Sequence, residues 1–116
     1  MTKENKDFLK KIFEQKKELD AWMDVLKQKQ DCHLNEQHST LIEEHRKLSE
    51  TLDSSLKMLT NSEQLLIKAI FIDNLSNIEL SDLLNVSQST ASKRRRDASN
   101  KLAKYIYNYV RLSEGE

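Results

Sequence analysis

The 114 residues that precede Gly115 contain neither proline nor a second glycine. These are the two residue types that most strongly destabilise the interior of a helix, so almost nothing in this chain interrupts helix formation. Charged residues make up 33% of the sequence and aromatic residues 6%, which is typical of long, exposed helices over a thin core. The sequence therefore predicts an all-α protein. Its 116 residues allow one compact domain with an extension, or two small units.

Two capping boxes mark helix starts in the second half of the chain. Thr60 with Glu63, and Ser76 with Glu79, each follow the S/T-x-x-E pattern. In this pattern the hydroxyl and the carboxylate satisfy backbone N–H groups that the first turn of a helix leaves unpaired. We therefore expect one helix to begin just after Thr60 and another just after Ser76.

A short turn is predicted between that second helix and a longer basic one. Asn74 and Asn85 stand where helices must end, and asparagine is the best substitute for glycine in the left-handed conformation that closes a helix. Ser87 is a natural N-cap for a last helix that begins at Gln88 and meets no breaker before Gly115.

The first half of the chain carries apolar residues at alternating steps of three and four, as in a modest coiled coil. We interpret residues 1–58 as a helical arm for dimerisation or partner binding. The step of eight from Leu26 to Leu34 breaks the register, so a hairpin and one continuous rod both remain open. The predicted interface consists of Phe8, Ile12, Leu19, Trp22, Leu26, Leu34, Leu41, Leu48 and Leu52.

Two histidines, His38 and His45, interrupt this stripe, and Cys32 and His33 lie just upstream. No C-x-x-C or H-x-x-x-H spacing is present, so the sequence predicts no metal site. Two interpretations of these histidines remain: they are polar residues that the stripe tolerates, or they make association of the helices sensitive to pH. A single cysteine excludes an intrachain disulfide and fits a reducing cytoplasm.

Positive charge is concentrated in the last helix, although the whole chain has a formal net charge of +0. From Ser87 to Arg111 there are seven basic residues and one acidic residue, Asp97. Such a stripe suits phosphate neutralisation, although charged runs also occur on helix faces that are merely solvated. Outward positions at the start of such a helix can read bases, and glutamine favours adenine while lysine favours guanine. The predicted DNA-binding residues are Ser87, Gln88, Ser89, Thr90, Ser92, Lys93, Arg94, Arg95, Arg96 and Lys101.

Residues 59–106 resemble region 4 of sigma-70-type factors and the small sigma-like or ArpU-type regulators of phages and mobile elements. The matching elements are Leu59-Thr60 with Glu63, Leu75-Ser76 with Glu79, the turn Val86-Ser87-x-Ser89-Thr90, and Ala98 with Lys101-Leu102. The resemblance implies a helix-turn-helix DNA-binding unit over residues 59–112. It also implies RNA polymerase as a further partner. Separately, the polar sequence of residues 113–116 predicts a frayed tail.

Two positions depart from the region 4 pattern. Ala91 stands where region 4 usually carries a large aliphatic residue, and Arg95 where it carries an apolar one. We therefore expect Arg94 or Arg95 to lie near the core face, with its aliphatic stem packed and its charged head outside. Nothing in the chain resembles sigma region 2, which argues against a self-sufficient sigma factor.

Taken together, these patterns favour a sequence-specific DNA-binding transcription regulator of the cytoplasm and nucleoid that binds double-stranded DNA as a homodimer. The alternative is an interaction protein that uses a region 4-like surface to dock on RNA polymerase or a sigma partner. No phosphate-binding loop and no nucleophile or metal motif is present, so we expect neither catalysis nor a cofactor. No apolar run is long enough to span a membrane.

Overall fold

The computed structural model describes residues 3–28 and 36–114. Over these ranges the chain is helical, without a strand, and forms an all-α fold. The helices are α1 (Lys3–Gln28), α2 (Glu36–Lys57), α3 (Asn61–Ile67), α4 (Asn77–Leu84) and α5 (Gln88–Glu114), and α3 continues into a π-helical turn at Lys68–Ile72.

Both predicted capping boxes are confirmed, and they set the starts of α3 and α4. Thr60 Oγ1 accepts from the Glu63 N–H at 3.2 Å, while Glu63 accepts from the Thr60 N–H at 2.9 Å. Ser76 and Glu79 make the same reciprocal pair, at 3.2 Å each way. These contacts are local, which is why four-residue patterns in the sequence predict them.

Helices α1 and α2 form an antiparallel hairpin, which resolves the choice between a hairpin and a rod. Asp20 of α1 contacts His45 of α2, whereas Phe13, about two turns earlier in α1, lines a groove with Leu56, farther along α2. Residue numbers in contact thus decrease along α1 while they increase along α2, which defines an antiparallel pair. The predicted change of register lies outside the described residues, as does Leu34.

One hydrophobic core joins the hairpin to the C-terminal helices. Helix α5 packs against α1, α2, α3 and α4. Leu9 and Leu52 of the hairpin are buried with Leu102 and Ile106 of α5. In the described parts of residues 1–58, the apolar stripe therefore packs on α5 of the same chain, so α1 and α2 share one core with the C-terminal helices.

This packing also revises the predicted interface between copies. Phe8 stacks on Tyr107 of α5 with ring centroids 4.5 Å apart, and Leu19 and Leu52 are buried inside the chain. Ile12 and Leu48 pack against the same core, and Leu26 and Leu41 are partly buried. The apolar stripe of an amphipathic helix is buried once neighbouring helices cover it. Here α1 and α2 cover each other, and α5 covers both, so these side chains are already buried within one copy.

Helix α3, together with the π-helical turn that continues it, buries the side that carries Leu66, Ile67 and Ile70. Its exposed flank carries Leu65 and Ile72, which line an apolar groove with Phe13 and Leu56. The π-helical turn ends at Asp73, and Asn74 takes the predicted left-handed conformation at φ 56°. The Leu75 N–H then donates to the Ala69 carbonyl at 3.0 Å, which directs the chain into α4.

Candidate nucleic-acid interface

A three-residue turn connects α4 to α5 and fixes where α5 begins. Asn85 closes α4 in the left-handed conformation, at φ 57° and ψ 47°, as the sequence predicts. The following N–H, from Val86, donates to the Ser81 carbonyl at 3.0 Å. Ser87 then caps α5, because its Oγ accepts from the Thr90 N–H at 3.2 Å. Short-range hydrogen bonds therefore fix both ends of the connecting segment: one joins it to α4, and the other joins it to the first turn of α5.

The first three turns of α5 have a buried side and a solvent side. Ala91 and Ala98 are buried against the core, where small side chains allow α4 to lie close to α5. Thr90 is partly buried, and its hydroxyl oxygen accepts from the Ser87 hydroxyl at 2.9 Å. The exposed residues are the carboxylate Asp97 and seven residues for which base or phosphate contact is predicted: Ser87, Gln88, Ser89, Ser92, Lys93, Arg94 and Arg96.

The cations on this solvent side have no carboxylate partner in the part of the chain that the structure describes. Lys93, Arg94 and Arg96 are absent from its ion pairs. An exposed cation without an internal partner keeps its full charge available to an external anion. The start of α5 therefore presents three cations that form no ion pair in the described part of the chain, beside uncharged polar side chains and one exposed carboxylate, Asp97.

Arg95 has a different environment from its neighbours. It is partly buried, and its guanidinium donates to Asn77 Oδ1 at 3.0 Å, at the first residue of α4. Of the two arginines expected near the core face, Arg94 and Arg95, it is Arg95 that is partly buried. Because the partner is a neutral amide, the positive charge of Arg95 remains. Asn77 is a residue that sequence reasoning missed, since a contact 18 residues away leaves no local signal.

Lys101 differs from the other predicted DNA-binding cations because it forms an ion pair within the described part of the chain. Its ammonium donates to Glu63 Oε2 at 3.0 Å, at the start of α3. Hydrogen bonds from the Thr60 backbone N–H, and then from Lys101, hold the pKa of Glu63 below its usual range. In turn, Glu63 raises the pKa of Lys101. This pair links the capping box of α3 to α5, so Lys101 supports the position of α5.

A polar cluster crosses the hairpin at the predicted stripe position of His45. Asp20 Oδ1 lies 2.7 Å from both Lys16 Nζ and His45 Nε2. Partial burial raises the pKa of Asp20, but the hydrogen bonds from Lys16 and His45 outweigh it and hold that pKa below its usual range. His45 is thus a polar stripe residue with a partner in its own chain. Cys32, His33 and the side chain of His38 lie outside the described residues.

Exposed apolar side chains remain at the far end of the hairpin, away from the shared core. Trp22 is 45% exposed, Val25 40% and Ile42 38%. Of the predicted interface residues that the structure describes, Trp22 is the most exposed. We call Trp22, Val25 and Ile42 the distal patch.

Comparisons with known protein families, with curated proteins and with solved structures find no match to this chain. Among the described helices, none is both long enough and apolar enough to cross a membrane. The inference of function therefore depends on the geometry of α4, the turn and α5.

Proposed function

We propose that this protein is a DNA-binding transcription regulator that inserts the start of α5 into the major groove of double-stranded DNA. The observation that carries the proposal is the set of unpaired cations on the exposed side of α5, directly after a capped turn from α4. In a helix-turn-helix protein the second helix reads base edges with its N-terminal residues while cations beside them neutralise phosphates. The chain is electrically neutral overall, so attraction to DNA must come from such a local surface.

Each exposed residue then has a role that its chemistry allows. Gln88 presents an amide that can pair with adenine, and Lys93 can donate to guanine. Ser89 and Ser92 are permissive polar contacts. Arg94 and Arg96 are suited to phosphate oxygens on either side of the groove, because a guanidinium binds phosphate in a bidentate manner.

We further propose that the distal patch joins two copies into a homodimer. Trp22 with neighbouring aliphatic side chains is the kind of exposed group that is enriched in the centre of protein interfaces. A dimer would place two α5 helices on two half-sites and double the number of phosphate contacts. The patch is small, so dimerisation on this surface would be weak without DNA and strengthened by it.

The test measures binding of the full chain to a labelled mixed-sequence 30-base-pair duplex by fluorescence anisotropy across a range of salt concentrations. Two phosphate contacts, from Arg94 and Arg96, predict a slope of log affinity against log salt of roughly −1.8 or steeper. Arg96→Ala is expected to make that slope shallower by about 1. Light scattering of the same samples gives the number of copies bound.

Arg111→Ala is the matched control, because it removes the same side chain from the same helix. Arg111 lies 15 residues beyond Arg96, which is about 22 Å along α5. Its loss should leave the slope unchanged. If the full chain fails to bind the duplex, or if Arg96→Ala and Arg111→Ala weaken binding equally, the assignment of α5 is wrong. Failure to bind would favour the alternative of a protein that docks on RNA polymerase or a sigma partner.

A further inference from the structure

A second basic surface lies beside α5, in a cleft between α1 and the segment that leads into α4. The cleft has a volume of about 780 Å³. Its floor includes Phe13 of α1 and Phe71 of the π-helical turn, which stack with ring centroids 5.1 Å apart. Cationic side chains line it from two different helices: Lys6, Lys10, Lys16 and Lys17 of α1, and Arg95 of α5.

Helical spacing explains why the α1 lysines converge on this cleft. Lys6, Lys10, Phe13 and Lys17 follow one another at steps of four, three and four, which places them along one face of a helix. The stacked Phe13 fixes the rotation of that face against the π-helical turn. The stripe was not predicted from the sequence, because lysines are frequent throughout the first half of α1 and nothing local shows which of them share a cleft.

The cleft has an excess of positive charge, and three of its lysines make no ion pair that the structure describes. The cleft also contains the carboxylates of Glu14, Asp20 and Asp53, so its five cations exceed its anions by two. Lys16 is paired with Asp20. No ion pair that the structure describes involves Lys6, Lys10 or Lys17. The rim that these three lysines form is therefore available to an external anion.

Arg95 connects the cleft to the proposed DNA-binding surface of α5, because it lies in α5 and lines the cleft. It lines the cleft and also donates to Asn77, while its sequence neighbours Arg94 and Arg96 are exposed on the adjoining surface of α5. The first half of α1, residues 3–17, holds six lysines and three carboxylates, whereas α4 holds two carboxylates and no cation. Positive charge is thus concentrated on two helices that pack against each other.

We propose that Lys6, Lys10 and Lys17, with Arg95, form a second phosphate-binding surface, which contacts the DNA backbone that flanks the groove occupied by α5. This inference rests on the proposed function. The phosphates of a duplex that binds α5 would lie close to the start of α4. The cleft is next to this point, because Asn74 and Leu75, which precede α4, line it together with residues of α1. The hairpin thereby has a role in DNA binding as well as in covering the core, and it adds contacts that a lone short reading helix lacks.

The experiment compares the salt dependence of duplex binding for the full chain and for the double variant Lys6→Ala/Lys10→Ala. Loss of two phosphate contacts should make the slope of log affinity against log salt shallower by about 2. Affinity at 0.1 M salt should fall by roughly 60-fold, and the two proteins should converge towards 1 M salt. Both lysines are exposed, so the variant should keep the helical circular dichroism of the parent.

The control variant Lys11→Ala/Lys47→Ala removes the same net charge from exposed positions that do not line the cleft. It should leave the slope within experimental error of the parent. Equal slopes for the parent and for Lys6→Ala/Lys10→Ala would overturn this inference, as would equal losses in both double variants. In either case the proposed function stands if Arg96→Ala still reduces the slope. If the parent itself does not bind duplex DNA, the proposed function fails, and this inference fails with it.

Discussion

Truncation of one hairpin leucine should destabilise the DNA-binding half of the protein. Leu52 of α2 is 3% exposed and belongs to the same core as Leu102 and Ile106 of α5. Replacing a buried leucine by alanine costs about 2–5 kcal/mol, because apolar burial is lost and a cavity remains. A domain of this size has a total stability of roughly 5–15 kcal/mol. Leu52→Ala therefore removes a large fraction of that stability, and its melting temperature should fall by roughly 10 °C.

The assay is urea unfolding followed by two probes that report on different helices. The single tryptophan, Trp22, lies in α1, whereas all three tyrosines lie in α5. Tryptophan fluorescence therefore follows the hairpin, and the tyrosine signal in near-ultraviolet circular dichroism follows α5. If one core joins the two halves, both probes give a single coincident transition, and Leu52→Ala shifts both midpoints together.

Leu65→Ala is the matched control, because Leu65 undergoes the same chemical change but is 68% exposed. Its effect should stay within about 0.5 kcal/mol. A single shared core is ruled out if Leu52→Ala shifts the tryptophan transition alone and leaves the tyrosine transition in place. That result would mean that residues 1–58 form a separate arm after all, as the sequence suggests.

Two further predictions concern the caps that position α5. Asn85→Ala should destabilise the protein by about 1–2 kcal/mol in urea unfolding, because alanine is strained at φ 57°, whereas Asn85→Gly should be close to neutral; equal losses in both variants would contradict a backbone cause. The pKa of Glu63 lies below its ordinary value of 4.5 in the folded chain, so its contribution to stability is present above about that pH and is lost as the pH falls further. Glu63→Gln should therefore lower the melting temperature at pH 7, and the gap to the parent should close in acid. A gap that stays constant across pH would show that the carboxylate charge is not its source.

What the sequence determines by itself is mostly local. The lack of breakers predicts the helices, the two capping boxes predict where α3 and α4 begin, and the asparagines predict the left-handed closures at Asn74 and Asn85. Each of these features depends on atoms within a few residues of one another, so a short pattern is enough to specify it. The exposed basic start of α5 was predictable for the same reason, because its capped turn and its charge run are adjacent in the sequence.

Only the tertiary structure decides which surface covers each apolar stripe and which cations remain free. A heptad stripe such as that of α1 is satisfied equally well by a second copy or by the same chain, and here α2 and α5 occupy it. The contacts of Arg95 with Asn77 and of Lys101 with Glu63 join residues 18 and 38 positions apart, so no local pattern distinguishes the paired cation from the unpaired ones. The cleft lined by Lys6, Lys10 and Arg95 exists only because packing brings α1 against the π-helical turn and α5. Local interactions thus determine where the helices begin and end. Which side chains remain exposed, and which cations remain unpaired, depends on how the helices pack against one another.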